Sequence, residues 1–107
     1  IEEIVLENRE LPLLIYRTIQ ELLNNAMKHS KATYVKIQLM PKEYGFELVY
    51  FDNGVGCNLQ QIALKNSMGL QGIKERIHAY NGSIHMESAP DEGMRIHIKM
   101  EEEKFDD

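Results

Sequence analysis

Cysteine is nearly absent from this chain: Cys57 is the single thiol in 107 residues, which excludes an internal disulfide framework and a cysteine-based structural zinc site. That usage suits a reducing compartment. Long apolar runs are missing too. None approaches the roughly 20 residues that a bilayer-crossing helix needs, so no membrane contact is expected of this stretch. No basic stripe runs along the chain, and direct binding to a nucleic-acid backbone is not expected. Neither a GK[ST] phosphate loop nor an HExxH zinc motif occurs. The formal net charge is −5, but residues 101–107 carry −4 of it and leave the body at −1. A chain opening on Ile1 rather than methionine reads as a piece excised from something longer, or as a trimmed product, the first being favoured.

What is present suits one small domain. With 43% apolar and 27% charged residues, the composition is that of a globular chain with a single core. Residues 1–100 read as that domain and 101–107 as an acidic tail expected to be disordered. Ile4-Val5-Leu6 suggests a short edge strand. Pro12 suits the first turn of a helix, and Tyr16, Ile19, Leu22, Leu23, Ala26 and Met27 recur at helical spacing, so a helix is predicted from about Pro12 to His29. From Tyr34 the period becomes two. Val35, Ile37 and Leu39 mark one strand, Pro41 to Gly45 a turn, and Phe46 to Phe51 a returning antiparallel strand. A short helix is expected within Asn58 to Ser67. Leu70, Ile73 and Ile77 form the stripe of a second long helix that stops at Asn81-Gly82. Ile84 and Met86 then suggest a third strand, Pro90 to Gly93 a turn, and Met94, Ile96, Ile98 and Met100 a fourth. Helix, hairpin, loop, helix, hairpin implies an α+β fold: a two-layer sandwich with helices on one face of a mixed, mostly antiparallel sheet.

Three stretches have the residue types for ligand chemistry. On the first helix, at roughly 100° per residue, Glu21, Asn24, Asn25, Lys28 and His29 share an arc of about 140°. Taken alone, that is an ordinary solvated face. Asp52-Asn53-Gly54-Val55-Gly56 leaves a strand with a carboxylate followed by two glycines, so a flat ligand can approach without Cβ obstruction; alone, it is also common turn chemistry. Gly69-Leu70-Gln71-Gly72 opens a helix, where free N–H groups and the positive dipole end favour phosphate. It does not have the spacing of the dinucleotide fingerprint.

Together these stretches are specific. Glu21-x-x-x-Asn25-Ala26-x-Lys28-His29, Asp52-Asn53-Gly54-x-Gly56 and Gly69-Leu70-x-Gly72-Ile73-x-Glu75-Arg76, with a late Gly93, resemble the ATP-binding catalytic domain of two-component sensor histidine kinases. That domain has the Bergerat fold, and the resemblance is nearest to the short-lid branch of NarX-, DesK- and ComP-like sensors. It runs from about Leu11 to Met100. The resemblance implies binding of Mg·ATP and donation of its γ-phosphate to a histidine on a separate dimerisation domain, with a response regulator as indirect partner. By the same resemblance this is a cytoplasmic domain of a membrane-bound sensor. Without the histidine domain, the chain alone is not expected to autophosphorylate.

Roles follow from the resemblance residue by residue. Asn25 coordinates Mg²⁺ on the ATP phosphates, Glu21 orients the metal's water shell, and Lys28 and His29 approach phosphate oxygens. Asp52 receives the adenine amino group, Gly54 and Gly56 shape the floor beneath it, Gly69 and Gly72 present backbone N–H groups to the phosphates, and Gly93 is the glycine of the last motif. One position departs from the pattern. The family usually has threonine after that last glycine; here it is Met94, whose thioether cannot donate a hydrogen bond. Other readings are a stand-alone ATPase or anti-sigma-type serine kinase of the same fold, or a degenerate signalling module without turnover. His78, His85 and His97 are expected to be surface residues, and the methionines mainly core filling.

Overall fold

The computed structural model describes residues 10–43, 45–60 and 70–101. In chain order these form helix α1 (Glu10–Asn25), a π turn (Ala26–Ser30), strands β1 (Val35–Lys42) and β2 (Gly45–Asp52), helix α2 (Leu70–Ala79), and strands β3 (Ser83–Ser88) and β4 (Met94–Glu101). Several expectations fall outside the described residues: the strand at Ile4-Val5-Leu6, most of the short helix within Asn58 to Ser67, Gly69, and the tail after Glu101. The four strands form one sheet of order β1-β2-β4-β3, and every pairing is antiparallel. Both helices cover one face of it. The fold is the α+β sandwich expected, with an antiparallel rather than mixed sheet among the described strands.

The period-two patterns decide which residues meet the helices. Along β4, Met94, Ile96, Ile98 and Met100 are buried while Arg95, Lys99 and Glu101 are exposed; along β2, Phe46, Leu48, Tyr50 and Asp52 point inward. The strand pleat sends alternate side chains to opposite faces, so Asp52 belongs to the same face as the core. Pro41 lies inside β1, opposite Phe46, rather than in the turn. β1 is at one end of the described sheet, where a residue without an N–H interrupts no central ladder.

Helix α2 buries Leu70, Ile73 and Ile77, each contributing about 1.5–3 kcal/mol by burial. It stops as its sequence requires. Asn81 adopts the left-handed conformation at φ 61, and the Gly82 N–H reaches back to the Ile77 carbonyl at 2.9 Å, satisfying a group the helix end would leave unpaired.

Helix α1 is turned about its axis relative to the expectation. Its buried residues are Leu14, Ile15, Thr18, Leu22 and Ala26, whereas Tyr16, Leu23 and Met27 are 63%, 41% and 83% exposed. The inward arc is displaced by about 90° from the one that Tyr16, Ile19, Leu22, Leu23, Ala26 and Met27 suggest. The physical reason is that α1 has two apolar arcs, and the sheet takes the one containing the branched pair Leu14-Ile15. This phase carries Glu21 and Asn25 to the rim of the core, where both are half-buried. It also places Thr18 inside at 1% exposure, and its Oγ1 has no hydrogen-bond partner among the described residues. A buried, unpaired hydroxyl costs about 1–3 kcal/mol. Thr18→Val keeps the shape and removes the hydroxyl, so the variant is expected to be more stable by about 1 kcal/mol, measured by urea or thermal unfolding.

Candidate functional site

The last turn of α1 and the end of β2 are locked together by the backbone. After Asn25 the helix widens into the π turn, which ends at Lys31 in the left-handed region (φ 54). The Ser30 hydroxyl donates to the Ala26 carbonyl at 2.7 Å and accepts the Ala32 N–H at 3.1 Å. Single π turns recur at functional sites because they re-aim side chains. Here the turn contains Lys28 and His29. The Ser30 carbonyl accepts the Val55 N–H at 2.7 Å, and a Cβ on Gly54 would lie 2.2 Å from that same oxygen. Only a residue without a side chain admits this approach.

Asp52 ends β2 at 3% exposure. Its Oδ1 accepts the Gly54 N–H at 2.9 Å and its Oδ2 accepts the Tyr50 hydroxyl at 2.5 Å. Asn53 fastens the next turn, its Oδ1 accepting the N–H groups of Thr33 at 3.1 Å and Tyr34 at 3.0 Å. The β3–β4 turn closes the other side. The Asp91 N–H donates to the Val55 carbonyl at 2.6 Å, and the Ser88 hydroxyl accepts the Cys57 N–H at 3.0 Å while donating to the Gly93 carbonyl at 2.6 Å. Gly93 is itself left-handed, at φ 72, and a Cβ there would stand 2.2 Å from the Asp52 carbonyl oxygen.

A cavity of about 30 Å³ lies where these elements converge, lined by Leu22, Asn25, Ala26, His29, Ser30, Tyr50, Asp52, Gly56, Leu70 and Met94. The structure therefore brings Asn25, His29, Asp52 and Gly56 around one space. Leu70, the first described residue of α2, adds that end of the helix to the wall. Its volume is about that of one water molecule, well below the several hundred Å³ of a ligand-filled pocket. A purine enters only if the apolar wall of Leu22, Leu70 and Met94 parts.

Of the remaining predicted residues, Gly69 lies outside the described residues and the others do not line this cavity. Gly54 and Gly93 pack against the backbone as described, and Lys28 is exposed on the π turn. Gly72 is in the first turn of α2. Glu21 forms an ion pair through Oε2 with the guanidinium of Arg76, whose Nε donates to the Gly72 carbonyl at 3.3 Å; the pair ties α1 to α2. Two lining residues, Tyr50 and Ser30, escaped the sequence reading. Tyr50 was recoverable, because it precedes Asp52 by two on a strand and so shares its face.

A larger concavity of about 560 Å³ is on the opposite face of the sheet, between Tyr34, Lys36, Phe51, His85, Arg95, His97 and their neighbours. It contains none of the predicted site residues. His85 and His97 face outward there as expected, His85 paired with Glu87 at 3.0 Å and His97 with Glu47. Hydrogen bonds from His97 and Lys42 hold the Glu47 carboxyl below its ordinary range. The smaller cavity, which gathers Asn25, His29, Asp52 and Gly56, is therefore the candidate site.

A buried carboxylate at a strand end thus shares an apolar cavity with an amide-bearing helix, a lining that suits a small ligand with a polar donor group. Comparison with known proteins narrows the class. The model of the histidine kinase-, DNA gyrase B- and HSP90-like ATPase family matches residues 10–104, and the chain belongs to that family. It is 42% identical over 90 residues to the sensor histidine kinase ComP of Bacillus subtilis, covering 83% of this chain and 12% of that protein. It is 34% identical over 96 residues to the sensor protein VraS of Staphylococcus aureus, covering 87% of this chain and 27% of that one. The chain thus spans a minor part of these relatives' lengths. Among solved structures, the ATP-binding domain of PrrB from Mycobacterium tuberculosis superimposes with a TM-score of 0.68 at 23% identity, covering 87% of this chain and 70% of that one. A blue-light activated histidine kinase from Erythrobacter litoralis superimposes at 0.69 and 14% identity, covering 86% and 30%. These structures share the fold. The chain is an ATP-binding catalytic domain of the histidine-kinase kind.

Burial first, and then the hydrogen bond to Asp52, push the Tyr50 phenol far above its ordinary value of 10.0. A group whose pKa is raised by folding contributes stability that is present below its unfolded value and lost as pH rises toward the folded one. Stability is therefore expected to fall above about pH 10, and Tyr50→Phe should flatten part of that decline. Denaturant midpoints of both proteins at pH 8, 10 and 11 check it.

Proposed function

We propose that this domain binds Mg·ATP in the cavity between α1, β2 and α2 and presents the γ-phosphate to a histidine on a separate helical domain, as part of a sensor kinase. The single observation that supports this best is the convergence of Asn25, His29, Asp52 and Gly56, drawn from segments far apart in the chain, on one cavity. Asp52 accepts the adenine amino group. His29 and Lys28, on the re-aimed π turn, approach the phosphates, and Gly69 and Gly72 supply N–H groups at the α2 end. The donor set fits a metal that arrives with its nucleotide: Asn25 offers a hard oxygen at the cavity, and Mg²⁺ typically takes one or two protein ligands beside phosphates and water. When bound, the ion neutralises phosphate charge, the main electrostatic need of phosphoryl transfer. Glu21, one turn before Asn25, orients the ion's water shell and through Arg76 keeps α2 in register with α1. In the parent protein the domain lies on the cytoplasmic side of the membrane. Among the described residues no helix is long and apolar enough to cross one.

The partner reading has separate support. Leu13, Tyr16, Leu23 and Met27 are exposed on the side of α1 opposite the core, and with Gln20 they alternate at three and four residues, the spacing against which another helix packs. Exposed Arg17 and Lys28 flank the stripe. A helix with an apolar seam and acidic flanks fits this surface. The histidine-bearing domain is the partner assigned to it.

Calorimetric titration is expected to show ADP binding to the wild-type chain, strengthened by Mg²⁺, with Asn25→Asp and Asp52→Asn each weaker by at least about tenfold. Unchanged affinity in both variants would show that the assignment is wrong. Steady ATP hydrolysis by the chain alone, abolished in Glu21→Ala, would point instead to a stand-alone ATPase. In a kinase carrying this domain, Leu23→Glu is expected to reduce phosphorylation of the histidine without changing ADP affinity; equal loss of both would remove α1's outer face from the proposal.

A further inference from the structure

We propose that Tyr50 is a positioning residue for base recognition: its hydroxyl sets the Asp52 carboxylate, a task that Met94, across the sheet, cannot perform. This rests on the assignment of Asp52 to the adenine amino group.

The geometry is built by two strands. On β2, Tyr50 and Asp52 share the inward face and are 2% and 3% exposed. The Tyr50 hydroxyl donates to Oδ2 at 2.5 Å, and the Gly54 N–H donates to Oδ1 at 2.9 Å. Each carboxylate oxygen is thus held by one donor and keeps a further lone pair for a ligand. A carboxylate held at both ends is already oriented before the ligand arrives, which lowers the cost of binding. Across the β2–β4 ladder, Asp52 is opposite Met94 and Tyr50 opposite Ile96. Directly opposed residues have Cβ atoms about 4.5–5.5 Å apart, so a hydroxyl on the Cβ of residue 94 would reach the same carboxylate. Met94 is 5% exposed and has no donor. Tyr50 supplies the missing hydroxyl from the same strand as the carboxylate, and both Tyr50 and Met94 line the cavity.

A tyrosine that merely filled the core would affect stability and leave base preference unchanged. The two roles separate in a double-mutant cycle. ADP and GDP affinities are measured by calorimetry for the wild type, Tyr50→Phe, Met94→Thr and the double variant, with melting temperatures to confirm folding. Tyr50→Phe keeps the ring. It is expected to weaken ADP by about tenfold, the scale of one hydrogen bond to a charged group, while GDP changes little, so the preference for adenine narrows. Met94→Thr in the Tyr50→Phe background is expected to restore most of the loss. Should Tyr50→Phe fail to fold, the double variant, with a hydroxyl regained, gives the comparison with Met94→Thr. Unchanged ADP affinity in Tyr50→Phe, equal loss of ADP and GDP, or no rescue by Met94→Thr would each overturn the proposal. No ADP binding by the wild type would overturn the site assignment itself, a result distinct from all of these.

Discussion

The close approach of Gly54 to the Ser30 carbonyl is the constraint on which the site depends. It joins the end of a helix to the end of a strand without an intervening side chain, and a Cβ would stand 2.2 Å from the carbonyl oxygen. Because the Val55 N–H bonds the same oxygen, the helix end is anchored to the loop as well as placed against it. Asn25 and His29 thereby come to face Asp52, more than twenty residues away in the chain. The opposite side of the loop is fixed in the same manner, with Gly93 admitting the Asp52 carbonyl. The glycines of this region thus act mainly as points of backbone contact. That reading differs from a flexible cradle, since each is surrounded by protein.

The phase of α1 shows how far sequence pattern alone reaches. Its length and approximate limits were legible because Pro12 and the spacing of apolar residues agree on a helix. Its orientation was not, because Leu13, Tyr16, Leu23 and Met27 form a second apolar arc opposite Leu14, Thr18 and Leu22. Periodicity reports that a face exists; which of two faces meets the sheet depends on packing. The strands had no such ambiguity. Period two offers only two faces, and Met94, Ile96, Ile98 and Met100 select one of them, so β4 was readable to the residue.

The site was legible in its charged and amide members and less so in the parts that hold them. Asn25, His29, Asp52 and Gly56 were identifiable as chemistry in a recurring order, and they line one cavity. Lys28 is exposed and outside that lining, and the π turn that contains it is announced by no apolar period. Glu21's partner Arg76 is 55 residues away, beyond any local pattern. Ser30 and Tyr50 resemble ordinary helix-end and core residues until their hydroxyl partners are seen.

On the proposed assignment of Asp52 to the base, burial at 3% exposure gives the carboxylate its discriminating power. In an exposed position, water would replace a missing ligand donor at little cost. At the proposed base site, walled by Leu22, Leu70 and Met94, a ligand without a matching donor leaves a lone pair of a buried carboxylate unfilled where water cannot replace it. Sites that hold such a buried acceptor reject the wrong analogue far more strongly than apolar shape alone does, by up to about 10⁴–10⁵ in favourable cases against roughly 10–200 for one methylene. On the proposed assignment of Asp52 to the adenine amino group, burial of the carboxylate is therefore the source of selectivity. The donors from Tyr50 and Gly54 hold the carboxylate in place, so in the proposed site the base's own donor would complete an existing network rather than create one.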